Sequence, residues 1–243
     1  MNAAALLLAL AAFSSGQIVN ILPRAQNAEL GFSAQLEASA DLRTGNTERS
    51  LFSLSAAAVL RSEENVTLLV GSGELGSKGG ERFASNLFGH LRRRQRWSGR
   101  LDAEGFLQAD SDSFRRLELR ALAGAGLRLH WTGERASAAL GSALMGENER
   151  LKDGGQTQAA RWSSYFTLEW KALPNLTFSQ TTFIQPRLGD LKDARTLHEA
   201  ALTARVSDRL RLPISLRVSH DTRPPANVKK TDMQLKTALN VRL

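Results

Sequence analysis

Residues 30–43 read Leu30-Gly31-Phe32-Ser33-Ala34-Gln35-Leu36-Glu37-Ala38-Ser39-Ala40-Asp41-Leu42-Arg43. Every even position is apolar, and every odd position is polar or glycine. A period of two puts the two sets on opposite faces of a β-strand. A helix would instead repeat its apolar residues at i, i+3 and i+4. The stretch is also longer than the roughly five or six residues of an ordinary strand. It suits the tilted strands of ~10 residues that cross an outer membrane.

The pattern recurs to the end of the chain. Leu117, Leu119, Ala121, Ala123, Ala125, Leu127, Leu129 and Trp131 share one parity; Trp162, Phe166, Leu168 and Trp170 share another, as do Leu210, Leu212, Ile214, Leu216 and Val218. The alternation predicts about twelve strands, over 29–43, 48–61, 65–74, 82–95, 100–110, 115–131, 135–148, 160–171, 175–186, 195–206, 209–221 and 231–243. Hairpin-length links fall at 62–64, 97–99, 132–133, 172–174 and 207–208, with short links also at 44–47 and 111–114. Longer links, rich in glycine and charge, fall at 75–81, 149–159, 187–194 and 222–230. The fold class expected is all-β: a single antiparallel transmembrane β-barrel with short periplasmic turns and longer extracellular loops. A soluble β-sandwich also alternates, but these strands are too long for one. Their apolar set, rich in Leu and Ala, asks only for an apolar neighbour. Pro213 falls inside a strand and predicts a bulge or kink, because proline donates no ladder hydrogen bond.

The apolar run at 3–13, followed by Ser14-Ser15-Gly16, reads as a signal peptide over 1–16. A short periplasmic tail over 17–28 and a barrel over 29–243 complete the expected domains. The location implied is the outer membrane of a Gram-negative-type envelope. The chain has 243 residues, a net charge of +8 and no cysteine. Disulfides and thiolate metal sites are therefore excluded. A mean hydropathy of −0.26 argues against a helical membrane protein. Trp97, Trp131 and Trp170 fall at the short-turn end, where interfacial aromatics belong.

Several short motifs carry a second signal. Thr44-Gly45-Asn46-Thr47 follows the first strand, and Phe114-Arg115-Arg116 leads into Leu122-Ala123-Gly124-Ala125-Gly126-Leu127. Asp221-Thr222-Arg223-Pro224-Pro225 is followed by Lys230-Thr231-Asp232 and a terminal strand. In order and spacing these resemble the salt-induced outer-membrane protein family, domain of unknown function 481. The resemblance implies an outer-membrane barrel and brings no catalytic residues. The chain ends in Leu243, where outer-membrane barrels commonly end in Phe or Trp.

Other motifs lose their chemistry in context. Gly71-Ser72-Gly73-Glu74-Leu75-Gly76 matches G-x-G-x-x-G, but loop residues follow it where a dinucleotide site needs a helix. Arg92-Arg93-Arg94-Gln95-Arg96 reads as an interfacial basic run with Arg93 outward, because export removes the chain from nucleic acid. His90, His130, His198 and His220 lack metal-ligand spacing. His220-Asp221 is the one hydrolase-like pair. No catalytic, cofactor or metal site is expected, and the chain is read as a non-enzyme.

The polar parity predicts a lumen lined by Glu37, Asp41, Arg49, Glu104, Glu118, Arg120, Arg128, Glu147, Arg161, Glu169, Arg205, Arg217, Asp232 and Lys236. Two readings stay open: a mutually paired network that fills the barrel, or a narrow channel whose charges set selectivity. The partners expected are outer-membrane lipid, the barrel-assembly machinery and small polar solutes. The function expected is a small passive channel for polar or anionic solutes. A non-conducting envelope-stability barrel and a barrel hydrolase are the alternatives.

Overall fold

The computed structural model describes residues 30–45, 48–113, 116–207, 209–224, 228–237 and 239–241. The expected signal peptide and tail, 1–16 and 17–28, lie outside them. The strands are β1 (Gly31–Arg43), β2 (Arg49–Arg61), β3 (Asn65–Lys78), β4 (Glu81–Ser98), β5 (Leu101–Asp112), β6 (Leu117–Thr132), β7 (Ala136–Leu151), β8 (Gln156–Leu173), β9 (Leu176–Arg187), β10 (Asp190–Arg205), β11 (Leu210–Asp221), β12 (Thr231–Thr237) and β13 (Asn240–Val241). They form one antiparallel sheet in chain order from β1 to β12, and β13 also pairs with β11. Among the described residues, no helix is long and apolar enough to cross a membrane.

The sheet is strongly curled. Neighbouring strands lie about 4.8 Å apart, so β4 and β8 would be separated by roughly 19 Å in a flat sheet. The Arg92 guanidinium on β4 nevertheless lies 5.8 Å from the ring centre of Tyr165 on β8. The Tyr165 hydroxyl also donates to Glu104 on β5 at 2.7 Å.

Burial is inverted relative to a soluble protein. Leu36 is 71% exposed, Leu87 65% and Leu144 62%, whereas Arg120 is 1% exposed and Arg161 3%. Directly opposite residues in an antiparallel pair share a face. The register therefore carries the parity around the sheet: Leu87 is outward, and Asp110, opposite Arg120, is inward. Apolar residues cover the convex face, and the concave one holds the buried charges together with apolar clusters such as Val59, Leu68 and Val70. Water would disfavour this arrangement, whereas lipid favours it.

The strand ends depart from the alternation in detail. β3 extends to Lys78 and β4 starts at Glu81, so only 79–80 of the link expected at 75–81 lies between strands. β7 and β8 leave only 152–155 between them, and β9 and β10 only 188–189. Pairing continues beyond the apolar band, where both faces are polar and the period-two signal fades. The longer connections at that end are 44–48, 113–116, 152–155 and 222–230. At Pro213 the ladder with β10 runs through Thr203↔Pro213 without a shift. The described pairs on either side, Ile214↔Thr237 and Arg211↔Asn240, keep one register, so the described ladders show no bulge at Pro213.

Candidate functional site

The inward face carries three polar clusters. In the first, on β5 and β6, Arg120 grips Asp110 through both Nε and Nη2, at 3.1 and 3.0 Å. Gln108 donates to Asp110 at 3.0 Å, and its carbonyl lies 3.0 Å from His90 Nδ1. In the second, toward the end where β7 meets β8, Glu147 joins Arg161 at 3.4 Å and also pairs with Arg195. Arg195 reaches Glu149 at 3.1 Å and Asp221 at 3.4 Å, while Arg161 reaches Asp193 at 3.0 Å. Removing one member would strand a buried charge, which costs far more than the assembled pair contributes.

The third cluster lies toward the short-turn end. Asp102 meets Arg128 at 3.0 Å, His130 at 3.2 Å, Arg94 at 3.7 Å and Arg96 at 4.0 Å. Glu104 accepts from Arg92 at 3.0 Å. The Arg92 guanidinium stacks 4.9 Å from the centre of the Phe106 ring.

Glycines make room for these side chains. Tyr165 lies over Gly141, where a Cβ would overlap its ring, and Phe106 occupies the space over Gly124 in the same way. The Tyr165 ring then packs 5.3 Å from that of Phe183. The inward wall from β4 to β10 is dense for this reason.

Elsewhere the inward face is more accessible. Arg49, Ser53 and Ser55 on β2 are half-buried, as are Ser215, Arg217 and Ser219 on β11. β1 is exposed on both faces along nearly its whole length, because it pairs only with β2. The charge is also divided along the strands. The inward parity toward the short-turn end carries Arg61, Arg92, Arg94, Arg96, Arg128, Arg205 and Arg211 against Asp102, Glu104 and Glu169. Toward the other end it carries Asp41, Glu74, Asp110, Asp112, Glu147, Glu149, Asp193, Asp221 and Asp232 against Arg43, Arg49, Arg120, Arg161, Arg187 and Arg195.

Of the residues expected to line the lumen, Glu104, Arg120, Arg128, Glu147 and Arg161 are buried in the clusters. Asp41, Arg49, Glu169, Arg217 and Lys236 are half-buried on the inward parity, and Glu37, Arg205 and Asp232 are exposed there. Glu118 stands apart. A bulge between Leu117 and Leu119 buries Leu117 and leaves Glu118 half-exposed, 3.6 Å from Arg150. The alternation across that bulge could not place it.

The sequence reading left out Arg92, Arg94 and Arg96, whose parity with Phe88 and His90 is the signal that assigns them inward. It also left out Tyr165, Asp193 and Arg195. Arg93 does point outward, toward Thr67 and Asn65. Trp97, Trp131 and Trp170 are exposed near the short-turn ends of β4, β6 and β8. His220 and Asp221 fall on opposite faces: His220 Nδ1 contacts Thr231, while buried Asp221 faces Arg195. Among the described residues, no group of three His, Cys, Asp or Glu could hold a metal ion.

The pattern of one protein family, "Protein of unknown function, DUF481", matches residues 36–242. The chain belongs to the DUF481 family. The match covers every strand of this DUF481 chain from the middle of β1 onward. No curated protein matches the chain. Among solved structures, a NanC porin aligns with this DUF481 protein at 7% identity and a TM-score of 0.49, over 87% of this chain and 99% of the other.

Proposed function

We propose that the protein is an outer-membrane barrel that passes small polar solutes, anions in preference, with its short turns in the periplasm. The observation that carries this reading is the division of the inward face. A packed, ion-paired wall on β4–β10 stands beside accessible hydroxyls and charges on β2 and β11. A polar passage stays wet, whereas an apolar one gates by dewetting. Lipid leaves no unpaired backbone edge unsatisfied. In the membrane β1 and β12 therefore pair and close the barrel, and an even number of strands makes that pairing antiparallel. Lipid contacts the outward apolar face, the assembly machinery inserts the chain, and no reaction is catalysed.

Conductance of the refolded protein in planar bilayers tests the reading. Discrete, anion-favouring steps are expected. A well-inserted barrel that carries no current would overturn it. That result would favour a non-conducting structural barrel, a reading supported by the near-complete burial of Arg120, Arg161, Tyr165 and Leu197.

A further inference from the structure

We propose that Arg94, Arg96 and Arg128, gathered around Asp102 at the short-turn end, form a binding site for multivalent oxyanions such as phosphate groups. Among the described residues, Asp102 is the one carboxylate within 4.0 Å of all three guanidiniums. Only Arg128 is within hydrogen-bond distance, at 3.0 Å. Arg94 and Arg96 approach through Nε at 3.7 and 4.0 Å, beyond a hydrogen bond. The other inward carboxylate beside them is Glu104, opposite Arg94 in the ladder; its Oε2 accepts from Arg92 and the Tyr165 hydroxyl, and its Oε1 makes no hydrogen bond among the described residues.

Each guanidinium carries five donors, and a carboxylate offers about four lone-pair sites. Most of the donors in the cluster are therefore left for a ligand. The arginine side chains of this cluster span a range of accessibility: Arg128 is 8% exposed, Arg94 13% and Arg96 48%. This gradient runs from a buried anchor to an open mouth. Forked guanidinium donors match the oxygens of phosphate, and their attraction is strengthened where water is partly excluded. The cluster faces inward, so a lipid headgroup on the outer wall is not its ligand. Arg93, on the outward face of the same strand, is the group that would meet one.

The inference rests on the proposed barrel only in that solutes reach the inward face from the short-turn side. Calorimetric titration of refolded, detergent-solubilised protein with inorganic pyrophosphate at low salt tests it without requiring conductance. Saturable binding is expected. Arg96→Gln should weaken it about tenfold, because one charge-assisted contact is lost. Arg96 is half-exposed and outside the buried pairs, so this variant should still fold. Arg93→Gln should leave binding unchanged. Asp102→Asn should tighten it severalfold by removing the competing carboxylate. A purely structural role for the cluster would not produce that gain. Absence of binding by folded protein overturns the proposal, and so does equal weakening by Arg96→Gln and Arg93→Gln. A barrel that conducts without binding pyrophosphate overturns this site alone. A barrel that binds without conducting overturns the channel alone.

Discussion

Replacing Gly141 with alanine should destabilise the barrel by way of Tyr165, four strand positions around the wall from the nearest arginine of β4. A Cβ at position 141 would occupy the space of the Tyr165 ring. The ring cannot retreat toward the wall, since it already packs against Phe183 at 5.3 Å. Overpacking of this kind costs about 1–3 kcal/mol. Displacing the ring also breaks the 2.7 Å hydrogen bond from its hydroxyl to Glu104. A hydrogen bond to a charged acceptor contributes about 1.5–3 kcal/mol. The two effects together predict a loss of roughly 2.5–6 kcal/mol. Urea unfolding of vesicle-inserted protein, followed by tryptophan fluorescence, would measure it. Tyr165→Phe should lose only the hydrogen-bond part. In a Tyr165→Ala background the space over residue 141 is empty, and Gly141→Ala should be nearly neutral. The double-mutant cycle should therefore show coupling of at least about 1 kcal/mol. Equal costs for Gly141→Ala in both backgrounds would show that the glycine does not serve Tyr165.

Three further expectations follow from the same contacts. Glu147→Gln leaves buried Arg161 and Arg195 short of a carboxylate, and should cost about 3–5 kcal/mol in the same unfolding assay; a change under about 1 kcal/mol would mean that the neighbouring acids suffice. Trp162 donates to Ser142 at 2.7 Å on the outward face, so Trp162→Phe should cost about 0.5–1.5 kcal/mol, and Ser142→Ala should remove the difference between Trp and Phe at position 162. Cysteines placed on the outward parity of β1, at 36 or 38, and of β12, at 233 or 235, should cross-link in the membrane-inserted protein, with at least one combination forming a disulfide. Absence of any cross-link would contradict closure between β1 and β12.

The fold was legible because a lipid-facing strand writes its orientation into alternate residues. Residues 30–43 do so without interruption, and β1 spans Gly31–Arg43. The reading weakened where the physical cause of alternation weakened. Beyond the apolar band both faces of a hairpin meet water, so 75–81 and 187–194 look like loops although they are largely paired strand. Asp193 falls in that stretch; Arg195 opens the expected strand 195–206 and shares the parity of Arg205, so its orientation was readable. Bulges were a second cause, as Glu118 illustrates: one extra residue reverses the parity, and composition carries no mark of it. The run at 92–96 failed differently. Its parity was readable, but a block of arginine suggested a surface, and only the register shows Arg94 and Arg96 opposite Glu104 and Asp102 on β5.

The distribution of burial also separates what holds the barrel in the membrane from what shapes its interior. The outward leucines and phenylalanines gain by transfer to lipid, at about 25 cal/mol per Å² of apolar surface. The inward ion pairs gain little net energy, because desolvating both partners offsets most of their attraction. Their contribution is geometric. Arg120 on Asp110 and Arg161 on Glu147 tie adjacent strands, whereas Arg195 on Glu147 and Tyr165 on Glu104 tie strands three places apart around the wall. They fix the curl of β4–β10 and leave the remaining side of the interior to β1, β2, β11 and β12. The arginines around Asp102 do not fit that role. Two of the three are beyond hydrogen-bond distance of the carboxylate they surround, so they fix little geometry. Three guanidiniums share Asp102 with only one hydrogen bond among them, and the proposed anion from solution would take up the donors left over.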